Sequence, residues 1–168
     1  MNAADPFAML GLPRRFDLDA RALRSAWMQR VAAAHPDASG GAGEAALLNE
    51  AQRTLADPLA RAAAILALGG APATDERALP EGFLIEMMEL REAADEAAGD
   101  PARQQALLGE ARARRESGLA RIAAAFARGD GAVDADTAHE VRMAMNIVRS
   151  FDRMIEQLAR EGAGGVSP

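Results

Sequence analysis

The 168-residue chain contains no cysteine, no lysine and no tyrosine, and only 4% of its residues are aromatic. Without cysteine there are no disulfides, no zinc fingers and no thiolate-ligated clusters held by this chain. This fits a cytoplasmic setting. The sparse aromatics and β-branched residues argue against a large sheet. No stretch approaches the run of about 20 apolar residues that crosses a bilayer, and residues 1–12 lack the charged and apolar regions of a signal peptide. Every basic side chain is an arginine, and the formal net charge is −6. An acidic chain with no basic cluster is a poor ligand for nucleic acid. What is present is abundant alanine within a 49% apolar composition, which suits close-packed helices. The expectation is an all-α protein.

Punctuation along the chain divides it into two helical units. Asp5-Pro6 opens a short apolar segment closed by Gly11 and Pro13. Asp17 is the expected N-cap of the next helix, with Asp19 in its first turn. Ala20, Leu23, Trp27, Val31 and Ala34 then mark one helical face. His35-Pro36-Asp37 breaks that helix, and a loop is expected over 38–43. A further helix carries Leu48, Ala51 and Leu55. Asp57-Pro58 ends it and starts another, lined by Leu59, Ala62, Ala63 and Leu66 and stopped by Gly69-Gly70. Residues 71–79 read as a linker.

Three longer helices come next, over about 81–98, about 101–128 and the segment from Val141 through Leu158, as a small bundle across 80–161. Leu108, Ala111, Leu119, Ile122 and Phe126 are the expected inward face of the second; Val141, Ala144, Val148, Phe151, Ile155 and Leu158 are that of the third. Residues 162–168 read as a flexible tail. In the first helix, Phe83, Met87, Leu90 and Ala94 form a core face at about 100° per residue. Leu84 and Met88 lie about 100–150° from its centre, with Ile85 further round and Glu81, Glu89 and Glu92 at the rim. A bundle helix needs one apolar stripe, so this second one points to a partner surface; the alternative is a widened core contact or a contact with the N-terminal helical unit. Arg112, Arg114 and Arg115 read as a solvated face. His139 has no second histidine near it, which disfavours a metal site. No nucleophile–base arrangement, phosphate-binding loop or carboxylate pair is present.

A bare His35-Pro36-Asp37 is most simply a helix-terminating turn. Its surroundings give it weight: it comes after a helix bearing Arg21 and Arg24, and precedes Leu48-Asn49-Glu50-Ala51-Gln52-Arg53-Thr54-Leu55 and Asp57-Pro58-Leu59-Ala60-Arg61-Ala62. That arrangement resembles a J-domain. The opening Asp5-Pro6-Phe7-Ala8-Met9-Leu10-Gly11-Leu12-Pro13 and the segment Phe83-Leu84-Ile85-Glu86-Met87-Met88-Glu89-Leu90-Arg91-Glu92 are similar to the HscB family, and the resemblance covers about residues 5–160.

The resemblance implies a J-domain over 1–70 and a scaffold-binding bundle over 80–161. It implies no enzyme activity, cofactor or metal, but a co-chaperone that stimulates the ATPase of a DnaK/HscA-type chaperone and delivers an IscU-like iron–sulphur scaffold protein to it. It assigns chaperone contact to Arg21, Arg24, His35, Pro36 and Asp37. Scaffold contact falls to Leu84, Ile85, Met88, Glu89, Arg91 and Glu92, with Ile147 near a further contact position or in the core. The segment after Asp37 is shorter than in a usual J-domain, Ala38 stands where a basic residue is common, and 32–34 are apolar. These departures leave open a J-domain adaptor for another client, or a degenerate J-protein serving only as an interaction module. An acid–base enzyme using His35 and Asp37 ranks below both, because two residues on a turn supply neither pocket nor nucleophile.

Overall fold

The computed structural model describes residues 5–34, 41–74, 76–129 and 132–164. Among these residues there are seven helices and no strand: α1 (Pro6–Leu10), α2 (Ala20–Ala33), α3 (Gly41–Ala56), α4 (Pro58–Leu68), α5 (Phe83–Glu96), α6 (Pro101–Arg128) and α7 (Ala135–Gly164). The all-α expectation therefore holds. The chain divides into two compact units, one of Met1–Thr74 with Ala123–Ala138 and one of Asp75–Ile122 with His139–Pro168.

In the first unit, Asp5 caps α1 by accepting from the amides of Phe7 at 2.9 Å and Ala8 at 3.2 Å. Gly11 closes that helix in the left-handed conformation at φ 68°, which costs glycine nothing. Phe7 and Leu10 are buried, as are Leu48, Ala51 and Leu55 of α3. The cap of α2 is Asp19, not Asp17: its backbone is extended and its side chain accepts from the Ala22 amide at 2.8 Å. Asp17 instead contributes, with Asp57, to holding the charge on Arg61, whose pKa burial lowers. The half-buried Arg61 donates to the Leu55 carbonyl at 2.8 Å and lies 5.1 Å from the centre of the Phe16 ring.

Of the expected α2 stripe only Leu23 is fully buried. Trp27 is half-buried and donates its indole N–H to Asn49 Oδ1 at 3.0 Å, tying α2 to α3. The helix α3 begins at Gly41, inside the expected 38–43 loop. In α4, capped by Asp57 through the Ala60 amide at 2.7 Å, Ile65 is buried and Ala63 is exposed. Ile65 is thus an inward residue that the expected stripe omits. Phe126, expected to face the bundle, packs on Phe16 of the first unit with ring centres 6.0 Å apart.

In the second unit, Phe83, Ala94, Ala111, Ile147, Phe151, Met154 and Leu158 form one core, with Met87, Leu90 and Leu108 packed against it. Phe83 meets Phe151 edge-on, at 5.8 Å and 83°, an arrangement the ring quadrupoles favour. The helix α5 starts at Phe83, two residues later than expected, because Gly82 at φ 78° turns the chain just before it. Asp100 caps α6 through the amides of Ala102 and Arg103. Asn146 donates to the carbonyls of Glu76 and Ala78 at 3.0 and 3.1 Å, fastening the segment 76–80 to α7. Arg114 and Arg115 are not merely solvated. Arg114 pairs with Glu86 of α5, and Arg115 bonds Asp152 of α7 at 2.5 Å, which raises the Arg115 pKa. The helix α7 runs to Gly164, into the stretch read as a tail; residues 165–168 lie outside those described.

Two glycines of α6 stand in opposite circumstances. A methyl group on Gly118 would meet Val148 Cγ2 of α7 at 2.7 Å, whereas one on Gly109 would meet nothing within 4 Å. Gly109→Ala is therefore expected to stabilise the protein by about 0.5–1 kcal/mol through helix propensity. Gly118→Ala gains the same term but crowds a stiff branched side chain, at about 1–3 kcal/mol. Thermal melts should move up for the first and down for the second; equal upward shifts would contradict the close approach of α6 and α7.

Candidate functional site: two exposed faces

Two exposed faces stand out among the described residues. Among the described residues no group of three or more His, Cys, Asp or Glu is placed to hold a metal ion, and no helix is long and apolar enough to cross a membrane. His139 meets the carboxylate of Glu76, which also lies 3.6 Å from Arg142. It thereby joins the fastening of the 76–80 segment.

The first face lies on α2. Arg21 and Arg24 are exposed, and neither makes an ion pair among the described residues. Spacings of three and four residues stack them with Met28 along one side of the helix. Met28 is 54% exposed, and Leu47 on α3 is 56% exposed. Sequence reasoning passed over both, although the 21/24/28 spacing marks Met28. Burial of Leu23 turns this side of α2 to solvent. His35, Pro36 and Asp37 lie outside the described residues.

The second face lies on α5. With Phe83 and Ala94 buried and Met87 and Leu90 packed behind them, the helix presents Leu84 at 64%, Ile85 at 63% and Met88 at 70% exposure. Glu89, Arg91 and Glu92 are exposed around them. The second apolar stripe therefore does not widen the core contact. Ile147 is only 7% exposed and packs in the core. It supports the face from within and is not on it. Sequence reasoning did not foresee the neighbour of this face, an open groove of about 700 Å³ between α5 and α7. Leu79, Phe83, Met87 and Met154 are among its apolar lining, and Leu84, Met88 and Arg91 are shared with the α5 face.

Known proteins resemble this chain along its length. The family model described as the HSCB C-terminal oligomerisation domain matches residues 79–156, which include α5 and all of the groove lining except Gln157 and Arg160. The co-chaperone protein HscB homolog of Bordetella avium is 36% identical over 172 residues, covering 96% of each chain. That of Cupriavidus taiwanensis is 34% identical over 167 residues, covering 92% of this chain and 95% of its own. Among solved structures, the chaperone HscB from Vibrio cholerae superposes with a TM-score of 0.76 at 28% identity, covering 96% of this chain and 99% of that one. The human co-chaperone protein HscB, at 24% identity and a TM-score of 0.79 over 96% of this chain and 83% of its own, shares the fold. Near-full-length similarity at these identities, together with the matching fold, means that the chain belongs to the HscB co-chaperone family.

Proposed function

We propose that this protein works in the cytoplasm as an adaptor. Residues 1–70 form a J-domain that stimulates the ATPase of a DnaK/HscA-type chaperone. Residues 80–161 bind an IscU-like iron–sulphur scaffold protein and bring it to that chaperone, with 71–79 joining the two. The stimulating turn is His35-Pro36-Asp37, with Arg21 and Arg24 supplying positive charge on the adjoining helix. The scaffold-binding face is Leu84, Ile85 and Met88, ringed by Glu89, Arg91 and Glu92.

One observation carries this reading beyond family membership: three large apolar side chains stand more than 60% exposed within two turns of α5, at the segment the family shares. Exposed apolar groups rimmed by charge are costly to keep in water and mark interfaces. Joining the two activities in one chain holds the scaffold near the chaperone at high effective concentration. Neither activity asks this chain for a nucleophile, a metal or a cofactor.

Two outcomes test the assignment. Replacing Leu84 and Met88 together by alanine should abolish capture of the scaffold protein, since truncation of central interface side chains costs on the order of 2 kcal/mol or more. Because both side chains are exposed, no cavity forms, and the melting temperature should stay within a few degrees, in contrast to the about 2–5 kcal/mol lost when a buried leucine is truncated. A double variant that unfolds, or that binds scaffold normally, removes the α5 face from the proposal. Independently, His35→Gln should abolish stimulation of the chaperone's ATPase while leaving scaffold capture unchanged. Wild-type stimulation by that variant would dispose of the J-domain role.

A further inference from the structure

The groove between α5 and α7 has a charge unlike that of the rest of the chain. The protein carries 25 acidic against 19 basic residues. The groove holds three arginines, Arg91, Arg153 and Arg160, against the single carboxylate of Glu156. All three arginines are exposed, and among the described residues none makes an ion pair. Glu156 lies three residues from Arg153 and four from Arg160, a spacing at which helical ion pairs form, yet it pairs with neither. Arg153 only donates to its neighbour Ser150 Oγ, at 3.3 Å. Among the described residues, three guanidinium groups are thus left without a carboxylate partner.

The charge is also ordered across the surface. At about 100° per residue, Arg91 sits on the α7 side of α5, Leu84 and Met88 come next, and Glu92 and Glu89 lie beyond them. A ligand on the apolar stripe would therefore meet positive charge along one edge only.

We propose that the α5–α7 groove is a second recognition element for the scaffold-type partner. It receives a partner segment in which an apolar side chain is flanked by carboxylates. The apolar side chain sits over Phe83, Met87 and Met154, and the carboxylates are taken by Arg91, Arg153 and Arg160. Guanidinium groups suit this because their fixed fork of donors matches a carboxylate in two-point contact. In a chain of net charge −6, an acidic segment is repelled by most of the surface and accepted here, which fixes the orientation in which a partner docks. The groove shares Leu84 and Met88 with the α5 face, so one partner segment can engage both. This inference rests on the scaffold-binding reading of that face and extends it to Arg153, Met154 and Arg160 of α7.

The test titrates the full-length protein with the iron–sulphur scaffold protein of the same cell by calorimetry, at low and high ionic strength. Three double variants are compared with the native chain: Arg153→Glu with Arg160→Glu, Arg153→Lys with Arg160→Lys, and Leu84→Ala with Met88→Ala. Charge reversal should weaken binding roughly tenfold or more at low salt and flatten its salt dependence. The lysine variant should remain within a fewfold of native, because it keeps the charge, and the alanine variant should lose binding at every salt concentration. Circular dichroism checks that the exposed arginine positions tolerate both replacements. If charge reversal leaves affinity and salt dependence native while the alanine variant fails to bind, the groove proposal is overturned and the α5 face stands. If both variants bind as the native chain does, both assignments fall. If charge reversal instead dissolves a self-associated form in sedimentation without changing scaffold affinity, the groove holds a second copy of this chain and the proposal is again overturned.

Discussion

The edge-on contact of Phe83 with Phe151 sets the phase of α5. The contact lies at the first residue of the helix, directly after Gly82 has turned the chain. Once Phe83 points inward, the 100° step of the α-helix fixes the direction of every later side chain. Met87, Leu90 and Ala94 come round to the core, while Leu84, Ile85 and Met88 must face away from it. A slip of one residue would bury Leu84 and expose Phe83, trading a packed aromatic pair for a leucine. The exposed face is therefore a consequence of the core, held in place by the residues packed behind it. Ile147 belongs to that support: it lies beneath α5 in the same cluster.

The range of the forces involved decided which features were legible in the sequence. Caps and stops act within four residues, and most read correctly. Asp57 caps α4 and Asp100 caps α6, and Gly69-Gly70 ends α4. An exception is α2, where Asp17 was the expected cap and Asp19, two residues on, takes the role. Tertiary charge separated them, because Asp17 contributes to the field at Arg61, far along the chain. The face of α5 was legible because a single helical period with a surplus stripe is a local pattern. Phe126 and Ile65 were misjudged for the opposite reason. Which side of a long alanine-rich helix is inward depends on the partner it meets, and alanines mark no side. The α5–α7 groove was illegible because it is assembled from residues about sixty positions apart.

Alanine and glycine do in this chain what larger side chains do elsewhere. With 4% aromatic residues, the core cannot be filled by bulk, so helices must approach closely. Ala111, Ala125, Ala138 and Ala144 are essentially or fully buried, and Gly118 admits Val148 at a distance no Cβ would allow. Close approach leaves little tolerance, since interiors packed to crystal-like density respond to a single added carbon. Lacking lysine as well, the chain has arginine as its sole permanently charged basic side chain. Arg115 on Asp152 and Arg114 on Glu86 show that group joining helices as an ion-pair partner, and Arg61 over Phe16 shows it as a ring-stacking cation.

The energetics of docking explain why an apolar face of three residues would need a neighbouring groove. Full burial of a leucine-, isoleucine- or methionine-sized side chain contributes about 1.5–3 kcal/mol. These three already lose part of their exposure to the fold, so the gain on binding sits toward the lower end. Association itself costs at least about 4 kcal/mol in lost translational and rotational freedom. Most of the stripe's contribution is consumed by that cost, and a selective complex requires further contacts. The groove borders the stripe, shares Leu84 and Met88 with it, and adds both apolar floor and arginines that make no ion pair among the described residues. Its arginines are solvated in the free protein, so keeping them costs the fold little. Covered by a partner's apolar side chain, the same groups would act in a drier medium, where a carboxylate–guanidinium contact is stronger and a mismatched charge is more heavily penalised. The stripe would then govern how much surface is gained, and the groove which partner gains it.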